Sequence, residues 1–317
     1  MRPRRVAVIG SAGYTGTEAL DVLLAHPGFE VVAAVSSSQA GRAVADVHAR
    51  FKGRTELEYA TSAPADAEAL ALCTGHGRAA AYLAEHPPAP GVRVVDLSRD
   101  FRLAGNHGFA YGLPEAFDAE IRAAERVANP GCFATAIQLS LLPLAQSGLL
   151  AAPVSVTAIT GSTGAGQAPS PTTHFSWRAD NLSVYKPFAH QHLGEIRRTL
   201  GRVAPGGRDD GGAGVPPIHF VPVRGDFARG IFCVTQTPTD LTQQQADELY
   251  AAAFAKTRHT FHVTANPDLQ QVVRTDNALV HPIVKDGQLG VVTVIDNLRK
   301  GASGQAVENL ELMFGLA

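Results

Sequence analysis

Val6-Ala7-Val8-Ile9-Gly10-Ser11-Ala12-Gly13-Tyr14-Thr15-Gly16 is the stretch whose reading decides the fold. An apolar run breaks at a glycine-rich turn, after which Leu20, Leu23 and Leu24 return at inward helical spacing up to about Ala25. A second apolar run, Val31 to Val35, follows. Strand, turn, helix and strand in this order make a βαβ unit, in which glycines let the backbone approach a pyrophosphate at the helix N-terminus. The spacing is GxxGxxG and not GxGxxG, so the strand–turn–helix context carries the reading more than the glycines do. Gly10, Ser11, Ala12, Gly13, Tyr14, Thr15 and Gly16 are therefore expected to hold a dinucleotide.

The end of the second strand bears on which dinucleotide. An NAD-binding domain usually places an acidic residue there, about twenty positions after the turn, on the ribose 2′-hydroxyl. Here the chain reads Ser36-Ser37-Ser38-Gln39-Ala40-Gly41-Arg42. Hydroxyls and a guanidinium without a carboxylate suit a 2′-phosphate, so Ser36, Ser38 and Arg42 favour NADP(H). Further strands are expected at 69–73 and 92–96. Thr74-Gly75-His76-Gly77 follows the first of them, at the carboxyl edge where open α/β sheets bind ligands. His76 reads equally as a turn residue or a cofactor neighbour.

The chain has 317 residues, enough for two domains, with 45% apolar and 18% charged residues. A net charge of −2 leaves no basic footprint for nucleic acid or an anionic membrane. No apolar run approaches a membrane span, and Met1-Arg2-Pro3-Arg4-Arg5 leads into a short strand and not into the apolar core of a signal peptide. Cys73, Cys132 and Cys233 are odd in number and far apart, which argues against a disulfide framework and for a reducing, cytoplasmic setting. Cys73 and Cys233, each in an apolar strand, read as core.

After Pro153 the pattern changes to longer strands, at 154–159, 218–223, 230–235 and 289–295, with one helix near Gln243 to Thr257 capped by Asp240 or Thr242. This pattern implies an α+β domain whose open sheet face is free to pair with another subunit. The glycine- and proline-rich stretch from Gly201 to Pro217 reads as a flexible surface loop. Gly304 to Phe314 reads as a helix with Ala306, Leu310 and Met313 on one face, returning to the first domain. The fold class is thus an α/β Rossmann-type dinucleotide-binding domain plus an α+β catalytic and dimerisation domain.

Four segments carry polar groups that a core does not require. In Asn129-Pro130-Gly131-Cys132, Pro and Gly break the chain before a thiol, and a helix follows from Ala134 to Ser147. Unpaired backbone N–H groups and the positive end of the helix dipole favour a thiolate at such a point, although most free cysteines are simply buried. His190-Gln191-His192-Leu193-Gly194-Glu195 sits at an expected helix start. On a helix His192 and Glu195 share a face while His190 points elsewhere, a poor metal site, so no metal is expected. A histidine beside a thiolate accepts and returns its proton. The third segment is the loop Gly161 to Gln167, and the fourth is Asp96 to Arg102, where Arg102 is a candidate to hold an anion. Thiol, histidine and nicotinamide site together describe attack on an activated acyl group followed by hydride reduction to an aldehyde.

These residues resemble the N-acetyl-γ-glutamyl-phosphate reductase family of the semialdehyde dehydrogenase superfamily. The likeness runs through 10–16, 96–103, Tyr111 to Glu115, Asn129 to Thr135, His190 to His192 and Ile295 to Ala302. It implies a thioacyl intermediate on Cys132, hydride from NADPH, an N-acyl-glutamate semialdehyde product and a homodimer or homotetramer built on the second domain. It further implies a general base in the His-x-His segment, His190 ahead of His192. Gly164, Asn297 and the Lys300-Gly301-Ala302 turn are implied at the cofactor, and Arg102 and Glu195 at the acyl-phosphate substrate. The implied domains are 1–131 completed by 302–317, and 132–301.

Two departures bear on the acyl group. Gln191 and Gly194 stand where the family usually has Arg and Pro, and Gln167 stands where its glycine loop usually ends in Arg. An N-succinyl substrate is the alternative to N-acetyl, with Arg178 and Lys186 available for the extra carboxylate. A carrier-bound aminoadipyl phosphate, aspartyl phosphate and a non-catalytic NADP-binding sensor are the remaining alternatives.

Overall fold

The computed structural model describes residues 2–103 and 108–317. They form two compact units, one of 1–130 with 302–317 and one of 131–301.

The first unit opens with β1 (Arg4–Ile9), α1 (Tyr14–Ala25) and β2 (Phe29–Val35). It continues through α2 (Val44–Val47), β3 (Tyr59–Ala60), β4 (Ala69–Leu72), α3 (Ala79–Glu85), β5 (Arg93–Asp96), β6 (Ala110–Tyr111), α4 (Pro114–Ala123) and β7 (Arg126–Ala128). The sheet order is β3-β2-β1-β4-β5-β7-β6, and every pairing is parallel. Such a sheet needs cover on both faces, which is why Val6, Ala7 and Val8 and all four residues of β4 are buried.

The second unit starts with α5 (Cys132–Gln146), so the thiol is the first helical residue, two places before the expected start. Gly131 belongs with this unit, as the residue that caps α5. There follow β8 (Val154–Thr160), α6 (Phe175–Arg178), β9 (Ser183–Val184), α7 (His192–Val203), β10 (Ile218–Arg224), β11 (Ile231–Pro238), α8 (Gln243–Phe254), β12 (Thr260–His262), β13 (Ala278–Lys285) and β14 (Gln288–Ile295). Their mixed sheet runs β12-β13-β14-β11-β8-β10-β9. Thr242 caps α8 in a reciprocal capping box with Gln245.

The strand β13 escapes the sequence pattern because Pro282 interrupts it. Proline is tolerated there because β12 pairs only with Ala278 to Val280, leaving Pro282 on a free edge. The expected loop from Gly201 also needs correction. Gly201 lies inside α7, buried, and a Cβ on it would come 2.8 Å from Gly212 Cα, so the following segment folds back onto the helix.

The chain ends in α9 (Gly304–Phe314), which packs in the first unit against α1, α4 and β5. The sequence implied one apolar face, but every residue from Gly304 to Met313 is buried. Among them, Asn309 Nδ2 donates to the Gly112 carbonyl (2.9 Å) and to Asn129 Oδ1 (3.0 Å).

Candidate active site

In the first unit the glycine turn is built by exclusion. Gly10 has φ +77°, and a Cβ there would lie 2.7 Å from the Cys73 carbonyl oxygen. A Cβ on Gly16 would strike the Gly10 carbonyl and come within 2.5 Å of Ser11 Cα. The amides of Gly10 and Ser11 donate to the Val35 carbonyl (2.9 and 3.0 Å), as does Ser11 Oγ (3.0 Å), which locks the turn to β2. Ser11 is therefore spent on the fold. Gly13 caps α1 without a side-chain bond, and the first turn has no acid, so the helix start keeps its attraction for an anion. Thr15 gives its carbonyl to Ser303 Oγ (2.7 Å). Ser36 is buried, with its Oγ 3.3 Å from Ser38 Oγ, and Arg42 donates to Gln39 Oε1 (2.6 Å). The turn, Ser36, Ser38 and Arg42 thus follow β1 and β2, and His76 follows β4, the strand on the other side of β1.

His76 Nδ1 accepts the Arg99 amide (3.2 Å), and burial with the charges of Arg102 and Arg99 lowers its pKa. The neighbouring start of α3 is already satisfied, because Asp100 accepts the amides of Gly77 (2.7 Å), Ala79 (3.1 Å) and Ala80 (3.2 Å). Arg102, the expected anion holder, also fixes backbone. It is buried and donates Nε to the Asn129 carbonyl (2.8 Å) and Nη2 to the Leu97 carbonyl (2.9 Å). Asn129 also donates its amide to the Asp96 carbonyl (2.8 Å). Asp96 is fully buried, and that burial pushes its carboxyl up to about 6 despite the hydrogen bonds from Ser98.

In the second unit Gly131 caps α5 with no side-chain bond and no acid in the first turn. Glu195 Oε2 accepts the Gly131 amide (3.1 Å), which brings a buried carboxylate to the residue before the thiol. Cys132 is half-buried. Burial instead pushes the Cys73 and Cys233 thiols up to about 12, which makes them inert. Gly301 lies against Cys132: a Cβ there would be 3.0 Å from Cys132 Cβ.

The expected divergence of His190 and His192 does not occur. His190 precedes the helix, and its ring lies 4.5 Å from that of His192, nearly perpendicular. Its Nδ1 accepts the His192 amide (3.2 Å), which places the proton of the neutral ring on Nε2. Burial, with Lys186 nearby, lowers His190 to about 4. His192 Nε2 is 3.8 Å from Glu195 Oε1. Phe133 packs against both rings, at 5.5 and 6.3 Å, and Tyr185 lies 5.8 Å from His190. Tyr185 escapes the sequence reading; burial first and the charge of Cys132 second raise its pKa. Arg178 is not available for an added carboxylate. It is buried, and its Nη groups donate to the carbonyls of Asn181, Arg224 and Thr172 and to Ser183 Oγ.

Gly164 and Asn297 form a second group in this unit. Asn297 Oδ1 accepts the Gly230 amide (2.7 Å), and Nδ2 donates to Thr163 Oγ1 (3.0 Å). Among the described residues no group of three or more His, Cys, Asp and Glu side chains is set to hold a metal, and no helix is long and apolar enough to cross a membrane.

Comparison with known proteins agrees with this architecture. The family described as semialdehyde dehydrogenase, NAD binding domain, matches residues 5–124, and the one described as semialdehyde dehydrogenase, dimerisation domain, matches 132–297. N-acetyl-γ-glutamyl-phosphate reductases from Parabacteroides distasonis and Bacteroides thetaiotaomicron are each 44% identical, over 98% of this chain and 95% of theirs. The chain belongs to the N-acetyl-γ-glutamyl-phosphate reductase family. A member from Flavobacterium johnsoniae is 40% identical over the same shares of the two chains. Beyond the reductases, aspartate semialdehyde dehydrogenase II from Vibrio cholerae, complexed with ASA, shares the fold (TM-score 0.75, 18% identity, 99% of each chain). So does aspartate semialdehyde dehydrogenase with NADP from Candida albicans (TM-score 0.73, 13% identity, 98% of each chain). Like its semialdehyde dehydrogenase relatives, this reductase is an oxidoreductase with an NAD(P)-binding domain.

Proposed function

We propose that the protein reduces N-acetyl-γ-glutamyl phosphate to N-acetyl-glutamate 5-semialdehyde with release of phosphate, in arginine biosynthesis. The observation that carries this reading is Cys132 as the first residue of an uncapped helix, with Glu195 on the preceding amide and two histidines packed beside Phe133. The Cys132 thiolate attacks the acyl carbon, the bond to the phosphate oxygen breaks, and inorganic phosphate leaves a thioester. Bound NADPH supplies the hydride that takes the thioester toward the aldehyde. The carbonyl then re-forms as the carbon–sulfur bond breaks, returning the thiolate.

His190, neutral and protonated at Nε2, serves as a hydrogen-bond donor to the developing oxyanion. That leaves proton exchange with the thiol to His192, steadied by Glu195. Arg102 acts at one remove, by fixing the Asn129 backbone. Gly10 to Gly16 hold the pyrophosphate, Ser36, Ser38 and Arg42 the 2′-phosphate, and His76, Gly164 and Asn297 border the cofactor. The fit rests on a tight glycine turn before a helix start with no acid in its first turn, and on two hydroxyls with a guanidinium after β2. The acetyl form is favoured by the names of the relatives. A homodimer or homotetramer built on the second unit, working in the cytoplasm, completes the proposal.

The test is the phosphate-dependent oxidation of the semialdehyde by NADP. Cys132→Ser should lose turnover and keep NADP binding; full activity in that variant would sink the assignment.

A further inference from the structure

The glycine turn of the first unit is held from outside as well as from within. After Ser36 to Arg42 the chain runs through α2 and a short 3-10 turn (Ala49–Phe51) before it reaches β3, and its long side chains return to α1. Arg50 donates Nη2 to the Thr17 carbonyl (2.7 Å) and Nη1 to Glu18 Oε1 (2.8 Å). Arg54 Nη2 donates to the Asp21 carbonyl (3.1 Å). Both guanidinium carbons lie near the buried Phe51 ring, 5.0 and 5.6 Å from its centroid. Residues 48–54 thus form a strap along the first two turns of α1.

His48 begins that strap. It is half-buried, with its ring 6.3 Å from that of Phe51 and perpendicular to it. Its Nε2 is 3.5 Å from Thr17 Oγ1, and the ring hydrogen-bonds to the backbone of Ala12, in the middle of the glycine turn. Burial first and the charge of Arg50 second lower its pKa, so the ring is neutral at pH 7 and its N–H serves as a plain donor.

The neighbouring carbonyls of the turn are met locally. That of Gly10 accepts the Gly13 amide (3.2 Å), and that of Gly13 accepts the Thr17 amide (2.8 Å) and Thr17 Oγ1 (2.7 Å). Thr17 Oγ1 also lies 3.3 Å from the Ser11 carbonyl. The Ala12 carbonyl is met from the strap. A carbonyl oxygen facing an anion repels it, whereas the N–H groups of an uncapped helix start attract it. Fixing the carbonyls therefore decides whether the turn presents donors or acceptors to a phosphate.

We propose that His48 is a positioning residue for the diphosphate of the dinucleotide: by holding the Ala12 carbonyl to the strap, it keeps the glycine turn in its anion-binding form. The proposal rests on the NADP reading above. It concerns the diphosphate alone and leaves the 2′-phosphate to Ser36, Ser38 and Arg42.

The experiment is calorimetric titration of the free enzyme with NADP and with adenosine 2′-monophosphate, which has the 2′-phosphate and no diphosphate. The wild type is compared with His48→Leu, which cannot donate, and with His48→Gln, which can. Loss of the hydrogen bond should raise the NADP Kd of His48→Leu about 5- to 15-fold, while the Kd of the monophosphate stays within about twofold. His48→Gln should recover most of the NADP affinity. If the Leu variant does not fold, His48→Ser, too short to reach Ala12, takes its place with the same expectation. An unchanged NADP Kd overturns the proposal, and so does an equal weakening of both ligands, which would make His48 a support of the fold in general. A wild-type enzyme that does not bind NADP overturns the cofactor reading itself, and the role of His48 with it.

Discussion

The starts of α1 and α5 are built from the same parts and serve different ends. Each follows a parallel strand of the first unit, each is capped by a glycine without a side-chain bond, and neither has an acid in its first turn. Both therefore keep the electrostatic pull of an uncapped helix N-terminus. At α1 Gly10 and Gly16 let the turn close tightly on backbone where a Cβ would clash, and no side chain caps the helix. At α5 that pull falls on a side chain of the protein, Cys132, and Glu195 has taken the Gly131 amide. The helix start supplies the field, and its occupant is decided by what the neighbouring side chains exclude.

The largest expected effect breaks the α5 half of this comparison alone. Cys132→Ser should lower turnover about 10⁴-fold or more while NADP affinity, read by fluorescence titration, is unchanged. A parallel loss of NADP binding would mean that the two helix starts are not independent.

Gly16→Ala breaks the α1 half. The added Cβ meets backbone of Gly10 and Ser11, which cannot yield as a flexible side chain would, so unfolding free energy should fall by about 2–4 kcal/mol. NADP affinity should fall with it, and a denaturant midpoint equal to wild type would contradict the tight turn.

Glu195→Gln sharpens the comparison by keeping an acceptor for the Gly131 amide and removing only the charge. We expect kcat to drop about 10- to 100-fold with the fold intact. If turnover is unaffected, Glu195 is merely a structural acceptor.

The smallest effect is read from stability against pH. Burial lowers His190 from 6.5 to about 4, so the unfolded chain binds the proton more readily and stability falls as pH drops from about 6.5 to 4. Asp96, raised from 3.8 to about 6, works in the opposite sense: its contribution is lost as pH rises from about 4 to 6. Subtracting the His190→Asn curve from that of the wild type cancels Asp96. It should leave a His190 contribution on the order of 2 kcal/mol after screening, absent above pH 7. A flat difference would remove the buried, neutral ring.

The two regions also differ in how much the sequence discloses. Around α1 the apolar period, the turn glycines and the missing acid after β2 are local signals, and local signals suffice for a parallel sheet covered on both faces. Around α5 the motif locates the thiol, yet its surroundings arrive from distant positions. Arg178 reads in the sequence as a free cation, and only its burial among the carbonyls of Asn181, Arg224 and Thr172 shows that it is engaged. His190 is drawn to His192 by a turn that a helical wheel does not contain. Arg102 is legible in the sequence as a cation, but its bonds to the carbonyls of Asn129 and Leu97 come only from the fold.

The central claim is that Cys132 carries the acyl group during turnover. Mixing the enzyme with N-acetyl-glutamate semialdehyde and NADP in the absence of phosphate, followed by acid quench and peptide mass analysis, tests it directly. The account predicts one equivalent of NADPH per active site and an N-acetylglutamyl adduct on the peptide containing Cys132, discharged when phosphate is added. NADPH formation without that adduct, or an adduct on Cys73 or Cys233, would contradict it.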